Sequence, residues 1–168
     1  VPTFTAQGFD VIQTPHSVHE KLLNAVNKNL DNWDGMHQEH DVDCIYHPEG
    51  MAPKFADIGR IAREVHEELL PLHEAWAGGI KLKPTSAYGV RLYQNGSSLV
   101  MHHDKVHTHV ISSIVHITHE GENWPIEIEA HDTGELHAVK LQPGEMLFYE
   151  SAKCLHGRMT AFNGKYYG

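Results

Sequence analysis

The segment Met101 to Val110, MHHDKVHTHV, puts four histidines and an aspartate into ten residues, in a chain with 16 histidines among its 168 residues. Imidazole nitrogens and carboxylates bind divalent metals, so spacing must separate ligands from decoys. His102 and Asp104 stand two apart, which on a β-strand sends both side chains to one face and turns His103 away. An imidazole and a carboxylate can then share one ion. His156 is the third donor that the downstream pattern offers: a Pro143-Gly144 turn, a strand and a short loop precede it, and it opens another strand. Two imidazoles and one carboxylate on one face of a metal leave coordination positions open, as in non-haem iron centres. Nine residues after His156, just past the Asn163-Gly164 turn, Lys165 would face back across a hairpin and suits an ion pair with an anionic cosubstrate.

Other chemistry-bearing residues need weighing. His107 and His109 form a His-x-His that resembles the first cupin motif, and with His156 could make a three-histidine site; Val110 to His116 lacks the glutamate such a motif wants, and solvent-facing strand histidines are the simpler expectation. The run His116 to Glu120 has the residues of a zincin without its order or helix. Arg158 shares a strand face with His156 and could contact substrate or cosubstrate, or be a rim charge. Arg91 shares a face with Tyr93 and reads either as a substrate contact or as structural. Cys44 and Cys154 make no disulfide framework, and Cys154 reads as a small buried side chain. Trp33, Trp76 and Trp124 read as core or lid residues. The histidines at 16, 19, 37, 40, 47, 66 and 73 fall in helices or a loop and read as surface.

The elements that must position these groups are mainly β. Ser17-Val18-His19-Glu20 has the form of a capping box, and Val18, Leu22, Val26 and Leu30 continue one helical face. A second helix is expected from about Asp57 to Trp76, kinked or divided at Pro71. Residues 32–54 read as a long surface loop of a length that is often functional. After Gly78-Gly79, short runs separated by turn signals predict strands over Ala87–Tyr93, Val106–Thr118, Pro125–Ala130, Leu136–Leu141, Glu145–Tyr149 and Leu155–Phe162, with a last one from Lys165. That last strand is expected to continue past Gly168. The pattern predicts one domain over 1–168, a double-stranded β-helix (jelly roll, cupin-like) core over about 81–168 with a helical part over about 1–80 against one sheet. A net charge of -9 argues against nucleic acid. No apolar run is long enough to span a bilayer and no signal peptide is visible, so a soluble protein is expected, with compartment and oligomeric state open.

The segment Tyr88 to Gly168 resembles the iron(II)- and 2-oxoglutarate-dependent oxygenases, within them the prolyl 4-hydroxylase-like branch. His102, Asp104, His156 and Lys165 match the family's His-x-Asp, distal histidine and cosubstrate-binding cation. Tyr93, nine residues before His102, matches a tyrosine that hydrogen-bonds 2-oxoglutarate. His116, in VISSIVHIT, stands where a 2-oxoglutarate-contacting tyrosine often sits. The resemblance implies Fe(II), 2-oxoglutarate and O2, with ascorbate compatible, and hydroxylation of a C–H bond with succinate and CO2 as co-products. It implies a peptidyl, prolyl-type substrate. Leu99, three residues before His102, replaces a tyrosine that lines the prolyl pocket in the family, so a small metabolite stands as the alternative substrate. A cupin-type metalloprotein without 2-oxoglutarate chemistry stands as the alternative reading. The acidic surface favours a basic or neutral partner.

Overall fold

The computed structural model describes residues 1–87 and 89–168; Tyr88, in the first expected core strand, lies outside the described residues. Thirteen strands and two α-helices follow in the order β1 (Phe9–Gln13), α1 (His16–Leu30), β2 (His37–Gln38), β3 (Ile45–Tyr46), β4 (Lys54–Ala56), α2 (Ile61–Trp76), β5 (Val90–Leu92), β6 (Ser98–His102), β7 (Ser112–Val115), β8 (His119–Gly121), β9 (Ile126–Glu129), β10 (Leu136–Val139), β11 (Glu145–Tyr149), β12 (His156–Arg158) and β13 (Gly164–Tyr167). A 3-10 turn covers Trp33–Gly35.

Two antiparallel walls make the double-stranded β-helix. One is the five-stranded sheet β10-β9-β12-β6-β3. The other joins β1-β11-β7, β13-β8 and β2-β4-β5 through backbone bonds between Tyr93 and Tyr167 (2.9 and 3.0 Å) and between Gly168 and Ile117–Thr118. β11 shows why the layers form. Its alternate residues Met146 and Phe148 pack with Val18, Leu22, Val65 and Leu69 of the helices. Leu147 and Tyr149 turn the other way, onto Ile126 and Ile128 of β9. A period of two along one strand thus serves two cores.

Several local expectations change. Ser17 is not the helix cap: α1 starts at His16 after Pro15, and the Ser17 hydroxyl instead meets Glu68 of α2 at 3.1 Å. α2 begins at Ile61 and runs through Pro71 undivided, with one backbone donor fewer. The N-terminal part is not only helical. β1 pairs with β11 and β3 with β6, so residues of the expected helical layer and long loop complete both walls. The expected strand from Val106 to Thr118 shortens to β7, because residues 105–109 close a turn with His109 N–H on Lys105 O at 2.9 Å. Glu120-Gly121, between two of the expected strands, lies in β8.

One edge of β5 and one edge of β7 have no backbone partner among the described residues. Both border a cavity of about 800 Å³ that reaches into the barrel between the walls.

Candidate metal centre and anion pocket

β6 and β12 are neighbours, and their register slips once. His156 pairs with His102 while Arg158 pairs with Leu99, so β6 spends three steps where β12 spends two. This bulge re-aims side chains, as bulges beside sites do. Leu99 and His102 both line the cavity, although simple alternation would separate them, while Val100 turns out with 55% exposure. The same backbone then orients the ligand: His102 Nδ1–H donates to the Val100 carbonyl at 2.7 Å, leaving Nε2 with its lone pair. His156 repeats the device on the Cys154 carbonyl at 2.8 Å.

Asp104 lies beyond the end of β6, and its backbone N–H donates to Ser151 O at 2.9 Å. Its Oδ1 stands 3.6 Å from His102 Nε2 and 3.7 Å from His156 Nε2. The three donor atoms lie within 4.8 Å of one another, the only such group of three or more donors among the described residues. Burial lowers the pKa of His156, which keeps its imidazole neutral, the state that binds a metal. Tyr149 meets the His156 ring edge-on at 4.8 Å, and burial together with the nearby Asp104 charge pushes its hydroxyl up, so it stays protonated. Two freed imidazole nitrogens and one carboxylate fit a divalent ion of the non-haem iron type.

Across the cavity stands a buried cation, and it is not the lysine. Lys165 is a correction: its side chain is 55% exposed on the outside of β13, 4.0 Å from Glu120 and 5.7 Å from the Trp33 ring. The register of β13 slips between Gly164 and Tyr166, so the two-residue spacing does not put Lys165 beside Tyr167, which is buried with its ring packed on Trp124 and Phe162. Of the cations that line the cavity, Arg158 is the buried one, 4% exposed, with its guanidinium 4.6 Å from the Trp124 ring and 4.8 Å from the Tyr167 ring. One nitrogen donates to Trp124 O at 2.5 Å, and no carboxylate pairs with it among the described residues. The Tyr167 hydroxyl is buried without a hydrogen-bond partner. Burial raises its pKa while the Arg158 charge opposes this. A buried charge that no carboxylate neutralises is costly unless an anion completes it. Tyr93 lines the same cavity, edge-on to Trp124 at 5.1 Å.

His116 also borders the cavity, but both its nitrogens are engaged, which corrects its assignment as a cosubstrate contact. Nδ1–H donates to Gly168 O and Nε2 accepts from His119 Nδ1, each at 2.8 Å. It stacks flat on Tyr167 at 4.1 Å and 7°, so it supports that ring from behind. Arg91 lines the cavity with its guanidinium held by Glu39 at 2.5 and 3.2 Å. His103 and His107 are exposed, and His107 and His109 lie in the rim turn, outside the donor cluster. Tyr167 and Tyr149 were not visible as site residues from the sequence; simple alternation puts Lys165 and Tyr167 on one face, and only the register slip in β13 separates them.

No protein-family model matches the sequence, and no curated protein matches it. Solved structures do resemble the fold. A prolyl hydroxylase from Trichoplax adhaerens, in complex with a hypoxia inducible factor oxygen degradation domain peptide fragment, superposes with TM-score 0.69 at 12% identity over 96% of this chain and 81% of that one. A prolyl-4-hydroxylase from Pseudomonas putida gives 0.63 at 14% identity, covering 96% and 89%. The viral collagen prolyl hydroxylase from Paramecium Bursaria Chlorella virus-1, in its 2OG complex, gives 0.59 at 12% identity, covering 99% and 95%. The chain therefore shares the double-stranded β-helix fold of these three hydroxylases.

Proposed function

We propose that this protein is an Fe(II)- and 2-oxoglutarate-dependent oxygenase, with His102, Asp104 and His156 as metal ligands and Arg158 as the anchor for the far carboxylate of 2-oxoglutarate. The observation that carries this reading is the pairing, in one cavity, of a two-histidine, one-carboxylate donor set with a buried arginine that no protein carboxylate neutralises. Iron(II) held there, with 2-oxoglutarate and O2, supplies hydroxylation of a C–H bond, with succinate and CO2 as co-products.

The chain's own residues do the rest. Arg158 offers planar paired donors to a carboxylate, and Tyr167 adds its hydroxyl beside them. Tyr93 lies within the same wall and gives a second phenol to the cosubstrate. Trp124 covers one face of the guanidinium and keeps water from it. Leu99, next to His102 on the cavity wall, gives the substrate an apolar contact where a tyrosine would give a hydroxyl. The substrate we favour is a peptidyl, prolyl-type residue, a reading supported by the peptide bound to the Trichoplax enzyme of the same fold. Leu99 keeps a small metabolite as the second substrate reading.

Thermal unfolding with Mn(II) and 2-oxoglutarate tests the cosubstrate. The expected result is stabilisation by metal, a further rise with 2-oxoglutarate only when metal is present, and loss of both in Asp104→Ala. Stabilisation by metal that 2-oxoglutarate leaves unmoved would favour a cupin-type metalloprotein. Succinate release over a panel of proline peptides and small acids then separates the substrate readings.

A further inference from the structure

Glu150 is fully buried at the end of β11, outside the donor set and far in sequence from the residues it touches. Its Oε1 accepts three hydrogen bonds from one short N-terminal strap: Phe4 N–H at 3.1 Å, Thr5 N–H at 2.8 Å and the Thr5 hydroxyl at 2.8 Å. His131 Nε2 lies 3.6 Å away and donates to Thr5 O at 3.1 Å. The strap closes further onto the turn that Glu150 heads. Glu150 N–H donates to Gly8 O at 2.8 Å, Lys153 bonds the Thr3 hydroxyl, and Cys154 Sγ sits 3.6 Å from Gly8 O. Gly8 is required for this approach: at φ 99°, a Cβ there would lie 2.3 Å from Cys154 Sγ.

The same five-residue turn, 150–154, holds two of the three metal donors by its carbonyls. Ser151 O accepts the Asp104 backbone N–H at 2.9 Å, and Cys154 O accepts His156 Nδ1–H at 2.8 Å. The turn is closed on itself by Lys153 and Cys154 N–H groups on Glu150 O, at 2.9 and 2.8 Å. A carboxylate that gathers the strap therefore sits at the root of the backbone that aims Asp104 and His156. Outer groups of this kind set ligand orientation, and their loss weakens metal affinity by about 10–100-fold.

We propose that Glu150 is a positioning residue for the metal centre, and that closure of the strap at residues 3–8 and occupation of the His102–Asp104–His156 site are thermodynamically linked. The proposal rests on the reading of those three residues as metal ligands. Linkage is reciprocal, so metal must tighten the strap as much as the strap tightens metal.

Co(II) serves as the probe, followed by its visible absorption, with amide hydrogen exchange on the same samples. Glu150→Gln is expected to weaken Co(II) binding about 10–100-fold. Thr5→Val, which removes one of the three bonds, is expected to weaken it less. In the unaltered chain, Co(II) should slow exchange at the Phe4 and Thr5 amides, and this metal-dependent slowing should vanish in Glu150→Gln. A purely structural role would lower the metal-free melting temperature yet leave Co(II) affinity within two-fold, and that result overturns the linkage alone. If Glu150→Gln does not fold, Thr5→Val and the exchange difference in the unaltered chain decide; unchanged exchange at Phe4 and Thr5 on Co(II) binding sinks the proposal. Absence of Co(II) binding in the unaltered chain overturns the metal reading itself, and the linkage with it.

Discussion

His156 and Arg158 stand two residues apart on β12, yet the two ends of the cavity they serve are built differently. At the metal end, each histidine is set by a carbonyl two residues before it, Val100 for His102 and Cys154 for His156. The orientation of each histidine is therefore local, although β12 has to bring His156 beside His102 and Asp104. The anion end is a long-range assembly. Arg158 meets Trp124 from the loop before β9 and Tyr167 from β13, and Tyr93, just past β5, packs on Trp124. Nothing within a few residues of Arg158 announces those partners. The difference shows that a ligand motif is a short-range object, whereas a buried charge takes its role from whatever the folded walls leave without a partner.

The strongest way to break this comparison is to exchange the two cations. Arg158→Gln is expected to abolish the metal-dependent stabilisation by 2-oxoglutarate, a loss of about 2–5 kcal/mol in cosubstrate binding as for other truncated buried charge pairs. Lys165→Ala should leave it unchanged, because the Lys165 ammonium lies outside the barrel. Calorimetric titration of 2-oxoglutarate into the Mn(II)-loaded variants reads both, and the opposite outcome would restore Lys165 as the anchor.

A smaller effect concerns the support behind Tyr167. Burial holds the pKa of His116 down to about 3, against an ordinary value near 6.5. Below about pH 6.5 the unfolded chain takes up a proton at this position that the folded chain refuses. Stability from His116 is thus complete above pH 6.5 and is lost as pH falls toward about 3, at a slope of at most about 1.4 kcal/mol per pH unit. Urea midpoints measured across that window should fall less steeply in His116→Gln than in the unaltered chain. Equal slopes would remove His116 from the acid response.

The smallest expected effect sharpens the local side of the comparison. His107→Ala and His109→Ala together should leave Mn(II) affinity unchanged, since both lie in the rim turn outside the donor cluster. Loss of metal in that double variant would mean a three-histidine centre instead.

Much of the architecture was legible before any coordinates. Alternation and turn residues marked β9, β10 and β11 within a residue or two, and the four-residue spacing marked both helices. The N-terminal contribution was not legible. β1, β2 and β3 are five residues or fewer, and they gain their conformation from pairing with β11, β4 and β6 rather than from their own pattern. Leu99 was legible as a cavity residue only through resemblance, because strand alternation from His102 places it on the wrong face and the bulge in β6 corrects it.

The sequence by itself picked out the candidate metal donors and the class of fold, because residue type, a two-residue spacing and a repeated strand-turn rhythm are properties of short stretches of chain. Only the tertiary structure decided which cation faces the cavity, that His116 has no nitrogen to spare, and that Glu150 ties the N-terminal strap to the turn behind Asp104 and His156. Each of these depends on a partner more than thirty residues away: Trp124 for Arg158, Gly168 for His116 and Thr5 for Glu150. A one-residue change in how a turn closes inverts a strand's faces, and the sequence does not carry that count.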